Sequence, residues 1–254
     1  MTRGAVGGIA VGVLLLLGCS VGASGGDEPA AAPHASVDAG ATLEAVDLLR
    51  SGTKFIDETS FRVDTDIGGI VMIRSYADNV KRRAATKLSA SGQVIEIRMI
   101  ENAIYMKTNA DLPGVGKEWM SLDPARVPSD FALSFAPGKN DPGGSARLID
   151  AIVTARIEGS QVAGTLDVTR MRPGNGINFQ PNPGETFPDT VRSQPFRATL
   201  DAEGRLVSFV IPEADGLPAA SLGYADFGKA VEVVRPQGAV PAPAALYPQL
   251  GLGG

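Results

Sequence analysis

The stretch GQVIEIRMIENAIYMKT, residues 92–108, decides the fold class. Ile95, Ile97 and Met99 alternate with Glu96 and Arg98, the period of a strand with one buried face and one wet face. Glu101 and Asn102 turn the chain, and Ala103 to Lys107 runs back, so the stretch reads as a β-hairpin. The same period recurs on either side of it. Phe61, Val63 and Thr65 alternate with Arg62, Asp64 and Asp66, Gly68 and Gly69 break the run, and Ile70 to Ile73 resume it. Lys81 to Leu88 reads as a polar strand, Ser91-Gly92 as a turn, and Lys117 to Leu122 around Trp119 as a short strand. Further on, Ala155–Glu158 and Gln161–Thr169 are joined at Gly159-Ser160. Phe196–Leu200 and Arg205–Ile211 flank Asp201–Gly204, and Val231–Val234 is expected to close the sheet.

Two helices interrupt the strands. Asp38 is placed to cap one that runs to about Phe55, with Leu43, Val46 and Leu49 on its apolar face. Ser145 starts the second, with Leu148, Ile149, Ile152 and Val153 as its buried stripe. Antiparallel hairpins with two helices on one side of a curved sheet make an α+β domain. Arg170 to Pro195 is crowded with Pro, Gly and Asn, a loop long enough to be functional or unstructured. The Pro/Ala/Gly tail of residues 237–254 is expected to be loosely ordered.

The first residues carry a different message. Arg3 is followed by a small, apolar run from Ala5 to Leu17, too short to span a ~30 Å hydrocarbon core but suited to an export signal. Leu16-Leu17-Gly18-Cys19 resembles a bacterial lipobox, in which residues 1–18 are removed as a signal peptide and Cys19 is lipidated. The chemistry requires Cys, because only a thiolate is nucleophilic enough at neutral pH to take a thioether-linked lipid. Whether Cys19 then carries two or three acyl chains stays open. Residues 19–40, rich in Gly, Ala, Ser and Pro, cannot bury enough apolar surface to offset their ordering entropy and read as a flexible tether. The domain is expected over residues 41–236.

Composition excludes several classes. Loss of Arg3 with the signal leaves 22 basic against 28 acidic residues, a net charge of −6. That balance argues against a nucleic-acid binder, which needs a clustered basic face, and leaves membrane attachment to the covalent anchor. The one Cys is consumed at Cys19 and the one His, His34, lies in the tether. A Ser-His-Asp or Cys-His nucleophilic site and His/Cys metal ligation therefore cannot be built in the domain. Asp64, Asp66 and Gly68 echo a calcium loop but Ser75 stands where the closing Glu belongs, and Gly114–Lys117 lacks phosphate-loop spacing. No metal, no cofactor and no catalysis are expected; a hydrolase would need a convergent acidic pair that nothing singles out.

The order of these elements resembles the actinobacterial LppX/LprG-type lipoproteins, which share a fold with the LolA and LolB lipoprotein carriers. The resemblance is carried by SFRVDTDIGG (60–69), the 92–108 hairpin, KEWMSLD (117–123), VAGTLDVT (162–169), PFRATLDAEGRLVSFVI (195–211) and YADFGKAVEVVRP (224–236). It implies a strongly curved antiparallel half-barrel with helices covering the concave face. It also implies an apolar space between the two that holds the acyl chains of lipids or lipoglycans moved within the cell envelope. On that reading the ligand-facing side chains are Phe61, Val63, Ile95, Ile97, Met99, Ile104, Met106, Leu166 and Val168. Met99 and Met106 suit a flexible guest. Where many members have a helix, Met171 to Gln194 is Pro- and Gly-rich, which leaves a pocket wider, differently lidded or absent. Lys81-Arg82-Arg83 is a candidate headgroup contact or a solvated strand edge. The expectation is a monomer, lipid-anchored on the extracytoplasmic face of the cell membrane, with an unidentified transporter or envelope partner. The alternative is a scaffold or interaction lipoprotein whose core is filled.

Overall fold

The computed structural model describes residues 38–127, 134–171, 174–181, 186–250 and 252. The signal segment, Cys19, His34 and the tether up to residue 37 lie outside the described residues.

Helix α1 (Ala39–Ser51) starts where Asp38 accepts a hydrogen bond from the Gly40 N–H at 3.0 Å. It ends at Gly52 and is followed by the one-turn α2 (Phe55–Glu58), so the expected single helix is broken before Phe55. Then come β1 (Ser60–Ile67), β2 (Val71–Asp78), β3 (Arg83–Ala90), β4 (Gln93–Ile100), β5 (Ala103–Thr108) and β6 (Met120–Leu122). Helix α3 (Ser145–Asp150) precedes β7 (Ile152–Glu158), β8 (Gln161–Leu166), β9 (Gln194–Leu200), β10 (Leu206–Ile211) and β11 (Ala220–Ala225). Strand β12 (Val240–Pro241) and α4 (Leu246–Gln249) end the chain.

The twelve strands of the described residues form one open sheet in the order β12-β6-β5-β4-β3-β2-β1-β11-β10-β9-β8-β7, antiparallel throughout except for β12 beside β6. An open sheet of that size curls rather than staying flat. Its inner face buries one continuous core that also takes in residues of α1, α2 and α3. Helix α1 packs on β7 and touches α3, and Thr42 both donates to the Ala155 carbonyl and accepts from its N–H, which occupies part of the β7 edge.

Three further expectations are corrected. Val231–Val234 is no strand: both sides of β11 are already taken, by β1 and β10, so no edge is left to join. The segment instead crosses the outer face, where the Val234 carbonyl accepts from Arg98 at 2.9 Å. Ile152 and Val153 belong to β7 rather than to the second helix, which stops at Asp150; the β-branched run Ile-Val-Thr favours the strand. The described part of the tail packs into the core, with Leu246, Tyr247, Leu250 and Leu252 buried and the Tyr247 hydroxyl accepting from the Asp123 N–H at 2.7 Å.

Candidate functional site

Across β1 to β5 the register aligns the inner-face side chains in rows. One row reads Val63, Ser75, Thr86, Ile97, Met106, and the next Phe61, Ala77, Ala84, Met99, Ile104. The middle of both rows, on β2 and β3, is made of small residues. The Ser75 and Thr86 hydroxyls satisfy each other at 2.9 Å, so they can stand on an apolar floor without an unmet hydrogen bond. Beside them Ile73, Leu88 and Ile97 face inward yet stay only half buried. The result is a cavity of about 90 Å³ over β1–β4.

Among the described residues, none that lines this floor belongs to a helix. Its roof is two loop segments, with Asn140 and Pro142 from one and Gly174, Asn175, Gly176 and Asn178 from the other. The first strap is moored at one end by a reciprocal amide pair: Asn140 donates to the Asn79 side-chain oxygen at 2.6 Å, and Asn79 donates back to the Asn140 carbonyl at 2.9 Å. Asn79 also donates to the Ile56 carbonyl at 2.8 Å. Next to it, the buried Asp141 carboxylate accepts from the Tyr224 hydroxyl (2.7 Å), the Gly143 N–H (3.0 Å), and the Ser145 N–H and hydroxyl (2.6 and 2.7 Å). Burial, and then the neighbouring Asp141 charge, push the Tyr224 hydroxyl well above its ordinary pKa of 10.0. Arg147, just behind the strap, is held below the usual arginine value by burial, against the pull of Asp141.

The two straps cross backbone on backbone. Gly144 and Gly176 both have positive φ (67° and 75°), and a Cβ on Gly176 would collide with the Gly143 carbonyl, one on Gly144 with the Asn175 carbonyl. Part of the 170–195 loop therefore covers the cavity, and it does so with loop backbone and amide side chains. Among the described residues no Asp, Glu, Lys or Arg lines the space.

Of the side chains expected to face a ligand, Ile95, Ile97 and Met99 line the cavity. Phe61 and Val63 sit further along β1, Phe61 in edge-to-face contact with Phe55 and Tyr224. Ile104 and Met106 are buried on β5, beyond the cavity wall. Leu166 closes β8 and Val168 sits in the 3₁₀ turn Val168–Arg170, both buried on the opposite arm of the sheet. The floor residues on β2 and β3 and the amides of the roof come from structure alone. The one sequence signal for the floor is that the inward positions of β3 include Ala84 and Thr86, small where β4 carries Ile97 and Met99.

A larger, open depression of about 850 Å³ lies on the outer face, over β1–β4, β10 and β11. Two of its charges pair, Asp64 with Arg74 at 2.5 Å, and Asp64 also meets Arg62 at 3.2 Å. Asp66, the other candidate calcium ligand, accepts the Gly69 N–H at 2.7 Å. The Asp64 ion pair holds the exposed Arg74 above its ordinary pKa. An open, exposed and charged surface leaves little desolvated area, so the inner cavity is the candidate site. Among the described residues no three of His, Cys, Asp and Glu gather as a metal site would require. Among them, too, no helix is long and apolar enough to cross a membrane.

The fold is similar to that of the crystal structure of Mycobacterium tuberculosis lipoprotein LppX, with a TM-score of 0.44 and 14% identity over 76% of this chain and 99% of that chain. A DUF1329 family protein from Desulfovibrio piger aligns over 76% of this chain and 95% of its own, at 10% identity and a TM-score of 0.20. No family model matches the sequence, and no curated protein does.

Proposed function

We propose that this chain is a lipid-anchored protein of the cell envelope that receives the apolar part of a lipid or lipoglycan on the floor of β1–β4 and carries it without chemistry of its own. The observation behind this reading is the half-exposed apolar floor of Ile73, Leu88 and Ile97 beneath a roof of loop backbone. Hydrocarbon left half exposed gains from a greasy guest at about 25 cal/mol per Å² covered. The cavity as it stands is smaller than the ~150 Å³ that accommodates a benzene ring. A whole acyl chain therefore enters only if the Asn140–Ser145 strap or the Gly174–Asn178 strap lifts. The lipobox at Cys19 supplies the anchor and the residues after it the reach.

Native mass spectrometry of protein extracted from membranes, set beside the same protein delipidated and refolded, tests this. A mass difference equal to a lipid, restored by incubation with envelope lipid extract, is the expected outcome. Protein that never carries a hydrophobic ligand and takes up no labelled lipid would refute the carrier reading. The small size of the cavity favours one competitor, a scaffold lipoprotein with a filled core, and that same negative result would select it.

A further inference from the structure

At the end of the sheet where β2 turns into β3, Val80 stands 63% exposed and is followed by three exposed cations, Lys81, Arg82 and Arg83. We propose that this turn is a docking surface for an anionic lipid bilayer. An exposed valine backed by consecutive cations matches a negatively charged headgroup layer over hydrocarbon, in charge and in depth.

The turn is held rigid, so its chemistry is presented rather than averaged away. The buried Asp78 carboxylate accepts the Lys81 N–H at 2.8 Å. The Arg82 carbonyl accepts the Glu101 N–H at 2.8 Å, and its guanidinium donates to the Asn102 side-chain oxygen at 2.6 Å. Asn79 is tied to α2 and to the first strap. Among the described residues, the carboxylates on this turn and on the elements beside it are Asp78, which accepts the Lys81 N–H and lies 3.9 Å from the Lys81 ammonium, the exposed Glu101 of the neighbouring turn, and Asp57 and Glu58 of α2. Asp57 is occupied by the Gly138 N–H.

The opposite end of the same strands has the reverse character, with Asp66, Glu213 and Asp215 around the β1–β2 hairpin and the end of β10. Eight residues of β2 set the two ends about 26 Å apart, several Debye lengths at physiological salt. The acidic end, and the net negative charge of the chain, are therefore screened from a bilayer that meets the basic end. Because Asn79, the residue before Val80, also moors the strap at Asn140, the surface that meets the membrane adjoins the fastening of the cavity roof.

The test uses residues 19–254 with Cys19→Ser, so that neither an acyl anchor nor the apolar export signal contributes. A single new thiol carries an environment-sensitive fluorophore, at Val80→Cys or, at the far end, at Ile70→Cys, which is 55% exposed. With vesicles of phosphatidylglycerol and phosphatidylcholine, the probe at position 80 should shift to the blue, and the shift should fade with added salt. It should be absent with phosphatidylcholine alone, and the probe at position 70 should not respond. Lys81→Glu with Arg83→Glu should weaken vesicle affinity by at least about 25-fold, at roughly fivefold per cation. No shift at position 80, an equal shift at position 70, an equal shift on neutral vesicles, or an affinity indifferent to charge reversal would each overturn the proposal. Vesicle binding needs no occupied cavity, so this outcome is independent of the ligand experiment.

Discussion

The two arms of the sheet bury their inner faces by different means. On the arm from β7 to β10, large side chains meet one another: Phe196 stacks on Phe209 with ring centres 4.9 Å apart, and Leu166, Leu206 and Ile211 have no exposed surface. Helix α1 lies against that arm, and its terminal Gly52 carbonyl accepts the Leu206 N–H at 2.8 Å. On the arm from β1 to β4 the central residues are Ser75, Ala77, Ala84 and Thr86, and the cover is two crossing straps. An alternating strand says only that one face is buried. Side-chain volume decides whether the protein fills that face itself or leaves room.

The largest effect should come from breaking the filled arm. Phe209→Ala removes a ring with no exposed surface and should cost about 3–5 kcal/mol in urea unfolding. The strap's fastening ranks next. Asp141→Ala leaves the Tyr224 hydroxyl, the Ser145 hydroxyl and two N–H groups without their acceptor, and should cost about 3 kcal/mol. Unlike Phe209→Ala it should also speed hydrogen exchange in residues 140–145 beyond what the lost global stability explains. Equal exchange in the two variants would mean that the strap has no separate opening and would erase the contrast between the arms.

A third, smaller effect follows from Tyr224. Its folded-state pKa is raised, so its contribution is whole below pH 10, the unfolded value, and is lost as pH climbs toward the folded one. The stability difference between the parent and Tyr224→Phe should be flat up to about pH 10 and then shrink by up to ~1.4 kcal/mol per pH unit. The remaining tyrosines are common to both proteins and cancel. A difference that stays flat to pH 11 would place the hydroxyl in contact with water and the strap already open.

What could be read in the sequence follows from what has a period. Ile95, Ile97 and Met99 were legible as inward-facing because a strand repeats every two residues, and the start of α1 because Asp38 is a capping residue. The floor on β2 and β3 was hidden because Ala84 and Thr86 among Arg83 and Lys87 look like a wet strand. Straps have no period at all, and the contact that fixes one of them joins residues 83 positions apart, Asp141 and Tyr224. The ordered tail was masked by its composition: Leu246, Tyr247, Leu250 and Leu252 are diluted by Pro, Gly and Ala that imply looseness. The fate of Val231–Val234 depended on topology, since nothing local shows that both sides of β11 are occupied.

The smallest expected change in stability bears most directly on the carrier reading. Ala84 and Ala198 are both alanines on inner strand positions, 3% and 0% exposed, one on each arm. Ala84 lines the cavity, whereas Ala198 sits in register with Phe209 and Val162. A leucine at Ala198 must displace packed neighbours and should cost about 1–3 kcal/mol. A leucine at Ala84 enters space that is already there, so the cost should stay below about 1 kcal/mol, or the change should be slightly stabilising, because added dispersion contacts offset its lost rotamer freedom. The same Ala84→Leu protein should leave membranes without bound lipid while melting like the parent. Should it keep the ligand, the guest would lie elsewhere; should it cost as much as Ala198→Leu, the two arms would be equally full and the floor of β1–β4 would be ordinary core.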